Sequence, residues 1–363
     1  MNMDLLTLSP PGSAEAASSA FAAPVHGGPD GGPPVRFDFS TNACPLEAPQ
    51  PVRRALGTAD RGRYPDPDYG ALRERLGAWM DVAPSRVLPT AGSSEAIRRL
   101  TLAARLQGIE QVLVPQPGYG DYRAAAQALG LAVSPYADGV ELLERLSTPQ
   151  ARPALVWLCE PCNPTGESLG TAFWGELLAV ALARGALLAL DRAYEPLRLE
   201  GRDPIPREFA DRAWQLWSPN KTLGLTGVRA GWVVVPLHDA LDGRMQALAP
   251  SWVLSAEGVA LLEAWTLPAT QHGVNAACQR LRAWKRQQRA ALQSLGWTQR
   301  PSVTPFWLAR PDVARLPQRL AALRAQGIKL RDATSFGLPG WVRVSVQPPP
   351  AQEALLHAWR TSG

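Results

Sequence analysis

The chain has 363 residues, 46% of them hydrophobic, and 37 basic against 32 acidic side chains leave a net charge of +5. That length and apolar content can bury one large core and a smaller one, which excludes a disordered chain. The charges are spread along the sequence without a lysine-arginine block, no apolar run reaches about 18 residues, and the start MNMDLLTLSPPG lacks the features of a signal peptide; a cytoplasmic protein that binds neither nucleic acid nor membrane is expected.

In chain order, residues 1–34 are rich in Ala, Ser, Gly and Pro, as in APVHGGPDGGPP, and read as a mobile N-terminal arm. The folded body begins near VRFDFSTN. Residues 35–250 are expected to form mainly a large domain, whose first part can pack with a smaller one, and residues 251–363 a linking helix and a small C-terminal domain. From about residue 85, apolar runs alternate with helical patterns: RVLPTA then SSEAIRRLTLAARLQG, QVLVPQ then YGDYRAAAQALG, ALVWLCEP then TAFWGELLAVALARG, and ALLALD. This is the pattern of an α/β domain with a mostly parallel mixed sheet between helices. The C-terminal third runs from the helical AACQRLRAWKRQQRAALQSLG through VTPFWLAR, GIKLRD and GWVRVSV to AQEALLHAWR, and fits a smaller α+β domain.

Cys44, Cys159, Cys162 and Cys278 are too few and scattered for a disulfide framework, so reduced thiols are expected. Cys159 and Cys162 form a C-x-x-C without a second ligand pair nearby, and no metal site is expected.

In parallel sheets ligand groups collect where strands turn into helices. TAGSSEAIRRL reads as a strand, a tight turn and a helix capped by Ser93 or Ser94, a seat for phosphate or simply an ordinary cap. CEPCNPTG sets Asn163 in a turn after a buried strand, and LLALDRAY ends a strand on Asp191, a carboxylate that calls for a cationic partner, with Tyr194 three residues on. SPNKTLGLTGVRAGW then holds Lys221 between Ser218 and Arg229 among Gly224, Gly227 and Gly231. A lysine for a covalent link, a carboxylate for a protonated ring nitrogen, Asn163 and Tyr194 for a ring oxygen and a phosphate cup with an arginine together meet the needs of pyridoxal 5'-phosphate.

The order S-x-N-K-x-x-G-L-x-G-x-R-x-G, NPTG and D-x-A-Y resembles the fold type I aminotransferase superfamily, class I and II, over almost the whole chain after the arm. The resemblance implies that Lys221 is the Schiff-base lysine, Asp191 the pyridine partner, Asn163 and Tyr194 ring-oxygen ligands, Tyr119 of PGYGDY the residue stacked on the ring, and Ser93, Ser94, Ser218 and Arg229 the phosphate ligands. Two positions depart from the pattern: Arg192 follows Asp191 where an acidic residue is common, and Asn220 precedes Lys221 where many relatives have serine.

Two branches compete. His26 in HGG, Asn42 in DFSTNACPL, and RYPDPDYGALRERL resemble threonine-phosphate decarboxylases of cobalamin biosynthesis, in which an N-terminal histidine helps hold the substrate phosphate. PGYGDY, DRAY and GIKLRDATSFGLPGWVRVSV resemble histidinol-phosphate aminotransferases of amino acid biosynthesis. In both, arginines at the positions of Arg343 and Arg331 clamp an anionic substrate group, for which a guanidinium fork is suited. The tyrosines favour transamination of a small phosphorylated amine. The resemblance also implies that Tyr64 reaches the cofactor phosphate of a neighbouring subunit, so a homodimer with shared sites is expected. A non-catalytic regulator on this fold carries a DNA-binding module ahead of it, which a Gly/Pro-rich arm this short is not expected to form.

Overall fold

The computed structural model describes residues 25–148 and 152–361. Its strands are β1 Phe37–Asp38, β2 Val87–Thr90, β3 Gln111–Pro115, β4 Ala132–Tyr136, β5 Ala154–Cys159, β6 Leu187–Asp191, β7 Trp214–Trp217, β8 Gly231–Val234, β9 Thr298–Gln299, β10 Phe306–Arg310, β11 Ile328–Lys329, β12 Arg331–Asp332 and β13 Val342–Ser345. Seven of them form one sheet in the order β2-β8-β7-β6-β5-β3-β4, parallel except for β8, which runs antiparallel to both neighbours.

The interior strands are apolar on both faces because helices cover both. On β5, Leu155 and Trp157 pack with Ala96, Ile97 and Leu100 of helix Ser93–Leu106 and with Tyr122 of helix Gly120–Ala128. The alternate residues Val156 and Leu158 pack with Leu142 of helix Gly139–Ser147 and with Trp174 and Leu177 of helix Thr171–Ala183. β6 repeats the alternation, with Ala189 on the first face and Leu188 and Leu190 on the second. Asp191 therefore continues the face of Ala189, toward Tyr122.

Near the C-terminus, β12-β13-β10-β9 form an antiparallel sheet, while β1 pairs in parallel with β11. The β12–β13 register sets Arg331 opposite Arg343. Helix Pro268–Ser294 is tied to β13 by the Gln288 side-chain amide, which donates to the Ser345 carbonyl at 2.9 Å.

Residues 25–34 correct the expectation of a wholly mobile arm; residues 1–24 lie outside those described. This stretch buries little apolar surface but is held by polar contacts. Asp30 receives both Nη atoms of Arg324 at 2.8 Å and pairs with Lys329 at 2.7 Å. Lys329 also donates to the Gly28 carbonyl, and the Gly28 amide donates to Ser40 Oγ at 2.9 Å. No helix among the described residues is long and apolar enough to cross a membrane.

Candidate active site

At the carboxyl end of the large sheet lies a cavity of about 220 Å³. Lys221 reaches it from the turn between β7 and β8. Its carbonyl accepts the Cys44 amide at 2.8 Å, which brings the segment bearing Asn42 against the turn. That approach requires a glycine: Gly224 has φ +66°, and a Cβ there would sit 2.7 Å from the Cys44 carbonyl oxygen. Burial lowers the pKa of the Lys221 amine, the charge of Asp191 opposes this, and Arg229 adds to the lowering. Its Nζ lies 5.4 Å from the centre of the Tyr194 ring.

Asp191 is 4% exposed. Among the described residues no arginine, lysine or histidine stands at ion-pair distance, so the cation expected from the sequence is one that the chain does not itself supply. The Ala193 amide donates to Oδ1 at 2.9 Å and the Tyr122 hydroxyl to Oδ2 at 2.7 Å. Burial raises the carboxyl pKa, and these two donors and Lys221 act against it.

The phosphate seat differs in detail from expectation. Neither serine caps the helix; the cap is Gly92, at φ +90°, and no side chain bonds the first turn from that position. Ser93 Oγ is buried without a partner, and Ser94 Oγ bonds the Tyr119 hydroxyl at 3.1 Å. Arg229 comes so close to Gly92 that a Cβ there would sit 2.8 Å from its Nη2. Ser218 is not in the lining; its hydroxyl bonds Asn220 Oδ1 at 3.1 Å and the Ala230 carbonyl at 3.2 Å, and so braces the lysine turn. Asn220, in place of serine, is thus part of that brace.

The opposite wall carries polar groups from distant parts of the chain. Asn42 Nδ2 donates to the Tyr194 hydroxyl at 3.2 Å, and Asn42 Oδ1 is buried without a partner. Arg343 donates to Asn163 Oδ1 at 2.6 Å and to the Ser40 carbonyl at 2.7 Å, while its Nε is buried and unpaired. Burial lowers the pKa of this guanidinium to about 10, which leaves it cationic at neutral pH. His26 enters from the arm, tilted against Tyr119 with ring centres 5.5 Å apart and paired with Asp121 at 3.3 Å.

Two expected residues are not part of this wall. Arg331 donates to the Val25 carbonyl at 2.8 Å and to Ser335 Oγ at 2.6 Å, so it anchors the arm beside His26. Tyr64 is 76% exposed and stacks on Trp252, remote from the cavity of its own chain. Arg192, the other departure, is turned away from the site and pairs with Asp203 and Glu195. Asp121 and Tyr122 are not singled out by the sequence; the available signal is their position two and three residues after Tyr119 in PGYGDY.

These groups fit pyridoxal 5'-phosphate. A buried carboxylate lacks a cation, a buried amine with lowered pKa adjoins it, a flat tyrosine ring borders the space, and an unpaired hydroxyl and a guanidinium flank a helix N-terminus.

A profile described as aminotransferase class I and II matches residues 36–359. The chain is 31% identical over 354 residues to histidinol-phosphate aminotransferase 1 of Ralstonia nicotianae, covering 92% of this chain and 90% of that one. Among solved structures it shares its fold with the histidinol-phosphate aminotransferase of Clostridium acetobutylicum, at 16% identity and TM-score 0.79, over 90% of this chain and 98% of that one. The fold is likewise that of L-threonine-O-3-phosphate decarboxylase from Porphyromonas gingivalis, at 22% identity and TM-score 0.71, over 89% and 98% of the two chains. The chain belongs to the aminotransferase class I and II family and is a fold type I transaminase dependent on pyridoxal 5'-phosphate.

Proposed function

We propose that this enzyme transfers the amino group of a small phosphorylated amine such as histidinol phosphate to 2-oxoglutarate. The observation that carries this reading is Arg343, a buried guanidinium in the lining of the same cavity that Lys221 lines. A phosphate group meets a guanidinium fork in two directions at once. The relatives named above support the choice of substrate class.

Bound cofactor supplies an electron-withdrawing ring that stabilises charge at the substrate α-carbon. Lys221 Nζ removes and returns the α-proton, a task for which its lowered pKa suits it. Asp191 would pair with the ring nitrogen, Ser93, Ser94 and Arg229 would hold the phosphate with the helix N-terminus behind them, Asn163 and Tyr194 would bond the ring oxygen, and Tyr119 would stack on the ring, while Ser218 braces the turn that bears Lys221. Anchoring the substrate phosphate on Arg343 would hold the far end of the substrate and leave its α-proton within reach of Lys221, which would direct the reaction to proton transfer.

A second reading is decarboxylation of threonine phosphate, which His26 in the cavity lining favours. If His26 and Asn42 held the phosphate and Arg343 the carboxylate, the C–C bond would stand upright instead. Offering histidinol phosphate with 2-oxoglutarate, and separately threonine phosphate, decides between them: glutamate from the first supports transamination. Carbon dioxide from the second without glutamate from the first, lost in His26→Ala, overturns it.

The assembly we propose is a homodimer with shared sites, since Tyr64 is exposed and held in a stack with the half-exposed Trp252, ready to enter a neighbouring subunit.

A further inference from the structure

Both groups that bond Asp191 are neutral donors, the Ala193 amide and the Tyr122 hydroxyl. Tyr122 is fully buried on helix Gly120–Ala128. Its ring lies flat on Trp157, 4.9 Å between centres and 10° between planes, and edge-on to Tyr119 at 5.6 Å. Gripped on two sides, the ring holds its hydroxyl at one place, 2.7 Å from Asp191 Oδ2. The other titratable groups facing Asp191 are Cys159 on β5, Tyr194 beyond β6, Asp121 beside Tyr122, and Lys221.

Given the reading of Asp191 as partner of the cofactor ring nitrogen, we propose that Tyr122 is a positioning residue whose hydroxyl keeps Asp191 ionised for that role. Burial works toward the neutral acid; the two donors work toward the carboxylate. A tyrosine suits this task because its own proton is secure. Burial first, then the charges of Asp191 and Cys159, push its pKa well above the ordinary value, so it remains a donor over the whole working range. Since Asp191 has no direct cationic partner, removing Tyr122's bond is expected to be felt directly in its acidity.

The test is the dissociation constant of pyridoxal 5'-phosphate from the full-length protein as a function of pH, for wild type, Tyr122→Phe, Asp191→Asn and the double variant. Phenylalanine preserves both ring contacts, and near-ultraviolet circular dichroism of each apoprotein checks the fold. A carboxylate must be ionised to hold a protonated ring nitrogen, so raising its pKa moves the acid-side loss of affinity to higher pH. Loss of one charge-assisted hydrogen bond should move that midpoint up by about one to two pH units in Tyr122→Phe, so that affinity between the two midpoints is about 10- to 100-fold weaker. Above both midpoints the two proteins should agree within about threefold. In the Asp191→Asn background, adding Tyr122→Phe should leave the pH profile unchanged. Curves that superpose, or that differ by one constant factor at every pH, would overturn the proposal, because a merely structural role gives the latter. An acid limb that Asp191→Asn leaves untouched would remove the reading of Asp191 itself, and this proposal with it.

Discussion

Arg343→Lys keeps the positive charge of the cavity wall and removes its fork. In the structure the two Nη atoms are committed to Asn163 Oδ1 at 2.6 Å and the Ser40 carbonyl at 2.7 Å, and Nε is buried without a partner. A lysine in a site 5% exposed can satisfy some of these oxygens with one ammonium, but it cannot also present a planar pair of donors to an anion. A hydrogen bond to a charged group is worth about 1.5–3 kcal/mol, which corresponds to about 10- to 150-fold in kcat/KM for the phosphorylated substrate. If the phosphate is bound equally in ground and transition states, the change appears in KM with kcat little altered. The assay is steady-state glutamate production from histidinol phosphate, run in parallel with unphosphorylated histidinol. Wild type should prefer the phosphorylated compound, and Arg343→Lys should erase most of that preference. An equal fall for both substrates would refute the argument, since it would mean that Arg343 acts by holding Asn163 in place and not by binding the anion.

Lys221→Ala should lose covalent attachment of the cofactor: borohydride reduction followed by peptide mapping should fix it on Lys221 in the wild type, and recovery of the adduct on another lysine would contradict the assignment. Mixing Lys221→Ala with an inactive Tyr64 variant should restore part of the activity through hybrid dimers, whereas a fully active monomer in sedimentation would rule out shared sites. Asp30→Asn should release the arm, read as faster amide exchange over residues 25–30 and weaker binding of substrate. Arg324 and then Lys329 hold the Asp30 carboxyl well below its ordinary pKa, so the contact is fully present above about pH 4 and weakens as pH falls through the lowered value; wild-type arm exchange should therefore rise only in strong acid.

The large sheet was legible because its signal is local. ALVWLC and LLALD are strands buried on both faces, and that burial leaves an uninterrupted apolar run in the sequence. β4 gave no such run: AVSPY lies at the sheet edge with Ala132 and Pro135 exposed, and a proline is tolerated there because one side of the strand has no neighbour. The pairing of β1 with β11 joins residues about 290 positions apart, from Phe37 to Ile328. Two residues per strand carry no periodicity from which that partner can be deduced.

The site divides in the same way. Lys221, Asp191 and Asn163 stand directly at strand ends or in the turns after them, and the chemistry of each is recognisable from its immediate neighbours. Arg331 and the arm could not be read so. Whether an arginine two residues past β11 faces an anion or a backbone carbonyl depends on what the chain brings opposite it, and here that is Val25, more than 300 residues earlier. The arm's composition predicts that it cannot bury a core of its own, which remains true of residues 25–34. What composition does not express is that Asp30 meets Arg324 and Lys329 in one place, so that a segment with little apolar surface is held by charge. The result is that His26 is held at the cavity by a clasp built from the far end of the sequence.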